Sequence, residues 1–390
     1  MKCIIRVLCT LLLLAMMLCA SSRISVPTSY ADGGAPQLAY VAGGARGISV
    51  IDIARRSPTS TLTLAGQPRM VLLSPDGSAL YVTQPGLGRV SVIATRTSKQ
   101  ICSVAVPGQP SLLALSIDAT VLYVAGQGDK RARALDPTTC RIERTFETGG
   151  PVYGLAVAAS VAANATPTTP NQLWLAGDRG LTVFEATGRL LGTIPIGGEP
   201  QYISIPAGFT AYVTTRQGSV LAVDLNTRRV IRTLLSGGAY GPMDYDATTG
   251  EVYVPERLHN QLEVLTPITA DTAIMPREPV RQYSLSSSPQ AIAITSDGQL
   301  GFVALADGQV LMLDIPGHRS ITSITVGGTP RFIITGLYPP ASAPSSPASS
   351  PPAPASSAHL SAGALWILLL LLGSACLLGA YWLFWRRKRV

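Results

Sequence analysis

The chain predicts an all-β fold in which seven like sheets close into a ring, a seven-bladed β-propeller, followed by a C-terminal single transmembrane helix. Three observations carry that expectation. A turn ending in proline recurs seven times from Pro68 to Pro330, at intervals of 42, 41, 49, 42, 47 and 41 residues. Each interval holds short runs rich in β-branched residues, separated by Asp-Gly or Gly turns, which is the content of one four-stranded blade. The two ends of the array also complement each other, because the first repeat lacks an innermost strand and the last segment supplies one.

The first residues form an export signal. Lys2 and Arg6 precede the apolar stretch Val7 to Leu18, and small residues follow at Ala20-Ser21-Ser22 and Ser29-Tyr30-Ala31, so residues 1–31 are assigned as a signal peptide. The propeller is assigned to residues 32–338. Within one repeat, Arg69 to Leu73, Ala79 to Thr83, Arg89 to Ile93 and Ile101 to Val106 read as four strands, with Ser74-Pro75-Asp76-Gly77 as the first turn. Second strands recur at Leu38 to Ala42, Leu122 to Ala125, Leu173 to Ala176, Ala211 to Thr214, Val252 to Pro255 and Gly301 to Ala304. The segment Arg331 to Thr335 is expected to pair with the strand containing Tyr40, a one-plus-three closure that removes the open sheet edge.

Beyond the array, residues 339–359 are almost entirely Pro, Ser and Ala and read as an extended stalk. Residues 360–385 carry no charge and are long enough to span about 30 Å of hydrocarbon as a helix. Arg386-Arg387-Lys388-Arg389 then predicts a cytoplasmic tail, residues 386–390, and an outward propeller on a single-pass anchor in the cell membrane.

The stretch Leu72 to Val106, with Ser74-Pro75-Asp76-Gly77, Tyr81-Val82-Thr83-Gln84 and Val90-Ser91-Val92-Ile93, resembles the YVTN-type β-propeller repeat of bacterial and archaeal cell-surface proteins. The resemblance spans residues 36 to 338, is strongest in blades 2, 5 and 7, and is degenerate in blades 4 and 6. It implies a fold and no catalytic residue. The wider group includes lactonase-like and quinoprotein-like propellers, among which fold alone does not choose.

Of 30 Lys and Arg, three lie in the leader and four in the tail, leaving 23 against all 22 acidic residues in the propeller segment. The net charge there is about +1, which argues against a nucleic-acid partner. Cys102 and Cys140 are the two cysteines of the propeller segment, near the outermost strands of adjacent blades. Outer strands splay, and a bridge needs Cα atoms within about 7 Å, so this disulfide candidate stands beside the alternative of two small reduced side chains.

With only His259, His318 and His359, no multi-histidine metal centre can be assembled, and no haem, hydrolase or phosphate-loop motif is present; no cofactor is expected. An arginine recurs in the turn between second and third strands, at Arg46, Arg89, Arg131, Arg179, Arg216 and Arg257, with Arg69 and Arg331 directly after their prolines. These eight predict a basic ring around one channel mouth, suited to an anionic envelope polymer or an acidic surface protein. The alternative is a set of solvated turn residues neutralised by Asp129, Asp178 and Glu256. Asp244, at the start of a first strand, is a candidate to point into the channel and bind a cation or a ligand amine; the alternative, which the residues favour, is a carboxylate that hydrogen-bonds a neighbouring turn. Asp52, Asp136, Asp224 and Asp314 recur after third strands as turn caps, and Asn164 opens a glycosylation sequon.

The expected function is a membrane-anchored extracytoplasmic binding or scaffolding module at the cell surface, without intrinsic catalysis. The alternatives are a lactonase-like or quinoprotein-dehydrogenase-like enzyme using the channel mouth, and a structural surface-layer component.

Overall fold

The computed structural model describes residues 37–159, 171–268 and 281–336. They form seven four-stranded antiparallel sheets, one per repeat. Blade 1 combines the C-terminal strand Phe332–Gly336 with Leu38–Gly44, Gly47–Asp52 and Ser57–Leu62. The inner strands of blades 2 to 7 are Val71–Leu73, Pro110–Leu115, Gly154–Ala158, Pro200–Ser204, Asp244–Tyr245 and Pro289–Ile294.

The expected closure is present: Tyr40 lies opposite Ile334 and Ala42 opposite Phe332. The seam is tight enough to dictate a residue. Gly43 adopts φ +88, and a Cβ there would lie 2.3 Å from the Thr329 carbonyl oxygen, so only glycine fits without displacing the closing segment.

The two middle strands of each blade are buried on both faces, which is why they read as unbroken apolar runs rather than as alternation. One aromatic recurs at the same place in every second strand: Tyr40, Tyr81, Tyr123, Trp174, Tyr212, Tyr253 and Phe302, none more than 4% exposed. The buried apolar side chains fall into seven clusters, each spanning one junction between neighbouring blades, as when Trp174 and Val183 of blade 4 pack on Val213 and Val223 of blade 5. Burial of each large side chain contributes about 1.5–3 kcal/mol, so the ring is held chiefly at these junctions. Outer strands alternate instead, with Ile101, Ile142, Leu190 and Ile231 left exposed at the rim.

The membrane assignment is corrected. No helix among the described residues is long and apolar enough to cross a membrane, and the helical element among them is the three-residue turn Pro85–Leu87. The fold assignment therefore stops at the propeller. The export signal at 1–31, the stalk at 339–359, the span at 360–385 and the basic tail at 386–390 all lie outside the described residues, as does Asn164. The membrane as partner, the anchored cell-surface function with its envelope ligands, and the single-pass localisation rested on those segments and are set aside with them.

Cys102 and Cys140 are bonded, with their Cα atoms 6.1 Å apart. The splay of outer strands does not separate them, because Cys140 sits in the turn before the outer strand of blade 3 rather than in the strand itself. That turn, closed by Cys140 at φ +59, reaches back to Cys102 in the outer strand Gln100–Ala105 of blade 2.

Candidate functional site

The seven prolines that set the repeat also define one end of the channel. Each precedes or opens an inner strand, and the residues just after it face the axis. Together they line a cavity of about 160 Å³ to which all seven blades contribute. Arg331 and Phe332 come from blade 1, Arg69 and Met70 from blade 2, and Gln290 from blade 7, while Arg257 reaches in from the second-to-third-strand turn of blade 6. Blades 3, 4 and 5 supply Leu112, Tyr153, Leu155, Tyr202 and Ile203. The mouth is thus cationic on one arc and aromatic or apolar on the other.

Only three of the eight arginines expected to ring this mouth line it: Arg69, Arg257 and Arg331. Arg46, Arg89, Arg131, Arg179 and Arg216 share the face, because the turns that carry them abut the connections between blades. The backbone N–H of Arg216 donating to the Glu199 carbonyl at 2.8 Å is one such contact. Those five lie outside the lining. Arg131 pairs with Glu147 at 2.9 Å and Arg216 with Glu199 at 3.3 Å, exposed ion pairs worth little. Arg179 borders a separate groove between blades 3 and 4.

The three lining arginines are held differently. Arg257 lies 5.9 Å above the ring centroid of Tyr202, and its Nη2 donates to the Gln290 carbonyl at 3.2 Å. Its Nε is buried without a hydrogen-bond partner. The turn beneath it is organised by Glu256, 2% exposed, whose carboxylate accepts from the backbone N–H groups of Ala239, Leu258 and His259 at 2.7–2.8 Å and meets His259 Nδ1 at 3.0 Å. Burial pushes this carboxyl up, but those donors outweigh it and hold it below the usual range. Arg69 and Arg331 anchor only through their backbone N–H groups, to Thr83 and Ala42 at 3.1 and 2.9 Å. Among the described residues neither guanidinium makes an ion pair.

No carboxylate lines this mouth. Among the described residues no group of three or more His, Cys, Asp and Glu is placed to hold a metal ion. Behind the lining, Asp178 hydrogen-bonds Tyr153 and pushes that phenol above its ordinary value.

Asp244 lies elsewhere. It lines a second cavity of about 460 Å³ where the inner strands of blades 1, 2, 6 and 7 end, at the opposite end of the channel from the arginines. The recurring Asp52, Asp136, Asp224 and Asp314 cap turns, accepting from the N–H groups of Arg55, Thr138, Thr227 and Gly317 at 2.6–2.9 Å. Sequence reasoning missed Tyr153, Tyr202, Gln127 and Gln290 as mouth residues. The available signal was their position, since three of the four fall one or two places after a repeat proline.

No protein-family model and no curated protein sequence matches the chain. Solved structures with the same fold include a functionally unknown protein from Desulfotomaculum acetoxidans, at TM-score 0.64 and 13% identity over 77% of this chain and 99% of that one. Another is the Cps50 (Swd1) β-propeller domain of Myceliophteria thermophila, at 0.60 and 14% over 71% and 91%. A third is apo AztD from Citrobacter koseri, at 0.57 and 12% over 78% and 100%. Identities this low establish the seven-bladed β-propeller and nothing finer.

Proposed function

We propose that the chain is a protein-binding module whose arginine-lined mouth seats an acidic side chain of its partner. The observation that carries this is the pair Arg69 and Arg331, two guanidiniums without ion-pair partners beside a cavity on adjacent blades. At about 160 Å³ the cavity falls below the roughly 300–1,000 Å³ of small-molecule sites, and it is of the size of one side chain. Leu87 and Leu258, 46% and 64% exposed, stand on the same face and supply the apolar contact that surrounds a charged anchor in protein interfaces. A carboxylate entering the mouth forms charge-assisted hydrogen bonds worth about 1.5–3 kcal/mol each. We read the repeats as YVTN-type, a finer assignment supported by the shared Tyr-Val-Thr strand of blades 2 and 5.

The test uses fluorescein-labelled hexaglutamate, with hexalysine as control, followed by anisotropy on the full chain. Hexaglutamate binds, hexalysine does not, and Arg69→Ala with Arg331→Ala weakens binding at least tenfold, whereas Arg46→Ala with Arg89→Ala changes it less than threefold, each by the energies above. Equal loss in both double variants would mean a diffuse charge effect and would refute the anchored reading.

A further inference from the structure

We propose that the opposite end of the channel is a second, independent binding site, in which Asp244 holds an alkylammonium group. The inner strand of blade 6 is only two residues long, so its first residue is already at the far cavity. From there Asp244 Oδ2 accepts the Ile294 N–H of the neighbouring inner strand at 2.7 Å, which fixes the carboxylate at the channel wall. It is the sole charged residue lining that cavity, and it makes no ion pair among the described residues.

A half-buried carboxylate that has lost part of its hydration and has no counter-charge is costly, and binding a cation offsets that cost. The setting selects which cation. Ser74 and Thr295 spend their hydroxyl protons on Asp76 and Asp297, at 2.5 Å each, and accept the N–H groups of Ala79 and Leu300 in return. Thr335 Oγ1 donates to the Ile294 carbonyl at 3.3 Å. These oxygens are committed, which leaves Asp244 and the Ser296 hydroxyl as side-chain oxygen donors, few for the six to eight ligands of calcium. Leu73, Pro75, Ile294 and Ile334 give an apolar wall instead. One carboxylate over an apolar wall suits an ammonium head on a hydrocarbon stem, and a volume of about 460 Å³ admits a small organic molecule as well as a lysine side chain.

Burial pushes the Asp244 carboxyl up to about 6, against the opposing hydrogen bond from Ile294, so the group is ionised at neutral pH and protonated at pH 5. The titratable groups around it are Tyr245, a phenol also pushed up by burial, Asp246, whose carboxylate is held low by the Thr248 and Thr249 hydroxyls against burial, and, on the turns of blades 2 and 7, Asp76, held low by hydrogen bonds from Ser74 and Ser78 against burial, and Asp297. The shifts of Tyr245, Asp246 and Asp76 all lead away from the window between pH 5 and 7.5.

The experiment is calorimetric titration of the full chain with n-butylammonium and with Nα-acetyl-lysine amide, against n-butanol and calcium. Both amines bind at pH 7.5, Asp244→Asn weakens them at least tenfold, and butanol and calcium give no heat. Tighter binding of the lysine derivative identifies a polypeptide as the source of the ammonium, and equal binding a free amine. Where Asp244→Asn does not fold, the wild-type profile decides: affinity falling about tenfold from pH 7.5 to pH 5 supports the site. No amine binding, binding unchanged by Asp244→Asn or flat with pH, or calcium displacing the amines overturns it. Failure here leaves the hexaglutamate result untouched, since the two ends share no charged residue.

Discussion

The two ends of the channel are built from the same inner strands yet carry opposite chemistry. Phe332 lines the arginine-bearing mouth and Ile334 the Asp244 cavity, only two residues further along one strand. One end gathers three guanidiniums and no carboxylate, and the other one carboxylate and no cation. A perfect seven-fold repeat would present seven copies of one residue at each end, not three arginines facing an aromatic arc at one and a single carboxylate at the other. The middle strands are constrained by packing on both faces and stay alike, with an aromatic at one position in all seven. The positions just after each proline, at the entry to the inner strand, border the open mouth and are free to differ: Arg69, Ser111, Tyr153, Tyr202, Met243, Gln290 and Arg331. Specific chemistry therefore sits where the repeat is broken, and the framework where it is kept.

The largest expected effect separates that framework from both ends. The Cys102–Cys140 bridge closes a loop of sequence separation 38 at the outer rim of blades 2 and 3. Cys102→Ser with Cys140→Ser should lower unfolding stability by about 4 kcal/mol, on the chain-entropy account of cross-links. The measurement is the denaturant midpoint with and without reductant. Hexaglutamate and amine affinities should not move, and a change in either would tie the rim to the channel.

A smaller effect isolates the Asp244 end. Its folded-state pKa, about 6, lies above the ordinary carboxylate value of 3.8, so the native state binds more protons than the unfolded chain between those two values. Stability therefore falls as pH rises through that window, and the ionised carboxylate is a net cost above pH 6. Asn keeps an acceptor for the Ile294 N–H and removes the charge. Asp244→Asn should stabilise the ligand-free protein at pH 7.5 by about 2 kcal/mol, with the gain gone at pH 4. Chemical denaturation at the two pH values checks it, and an unstabilised variant would mean that Asp244 is well solvated.

Period and closure were readable because they rest on backbone demands: proline at each strand entry, turn glycines, and apolar runs buried on both faces. The far seam between Tyr40 and Ile334 followed from counting strands. The mouth was less readable. The arginine pattern is a true periodicity, yet a period along the chain fixes height along the channel axis and not distance from it. The turns holding Arg46, Arg89 and Arg179 project from the same face as Arg331 but further out. Asp244 was singled out by its position in a first strand, whereas the end of the channel it lines depended on blade 6 having an inner strand of two residues, which nothing in Gly241-Pro242-Met243-Asp244 announces. The membrane-spanning helix was read from composition alone, in a segment outside the described residues.

The smallest effect tests whether the aromatic arc of the arginine mouth takes part in recognition or only fills space. Tyr202 lies under Arg257, and the contact of a guanidinium with a ring face contributes about 0.5–1 kcal/mol at a partly exposed site. That contact orients a side chain which otherwise has one hydrogen bond, to the Gln290 carbonyl, and an Nε without a partner. Tyr202→Leu keeps the apolar bulk and removes the ring. Hexaglutamate binding should weaken about two- to fivefold, the free energy of the stack expressed as an affinity. Arg69→Ala with Arg331→Ala, by contrast, should cost tenfold or more, because it removes two charges rather than the support of one. Butylammonium binding at the Asp244 end should be unchanged. A loss at Tyr202→Leu as large as that of the arginine pair would shift recognition from the charged arc to the aromatic one. The ligand would then be an aromatic acid rather than an acidic side chain, since a ring needs a stacking partner and a lone carboxylate does not.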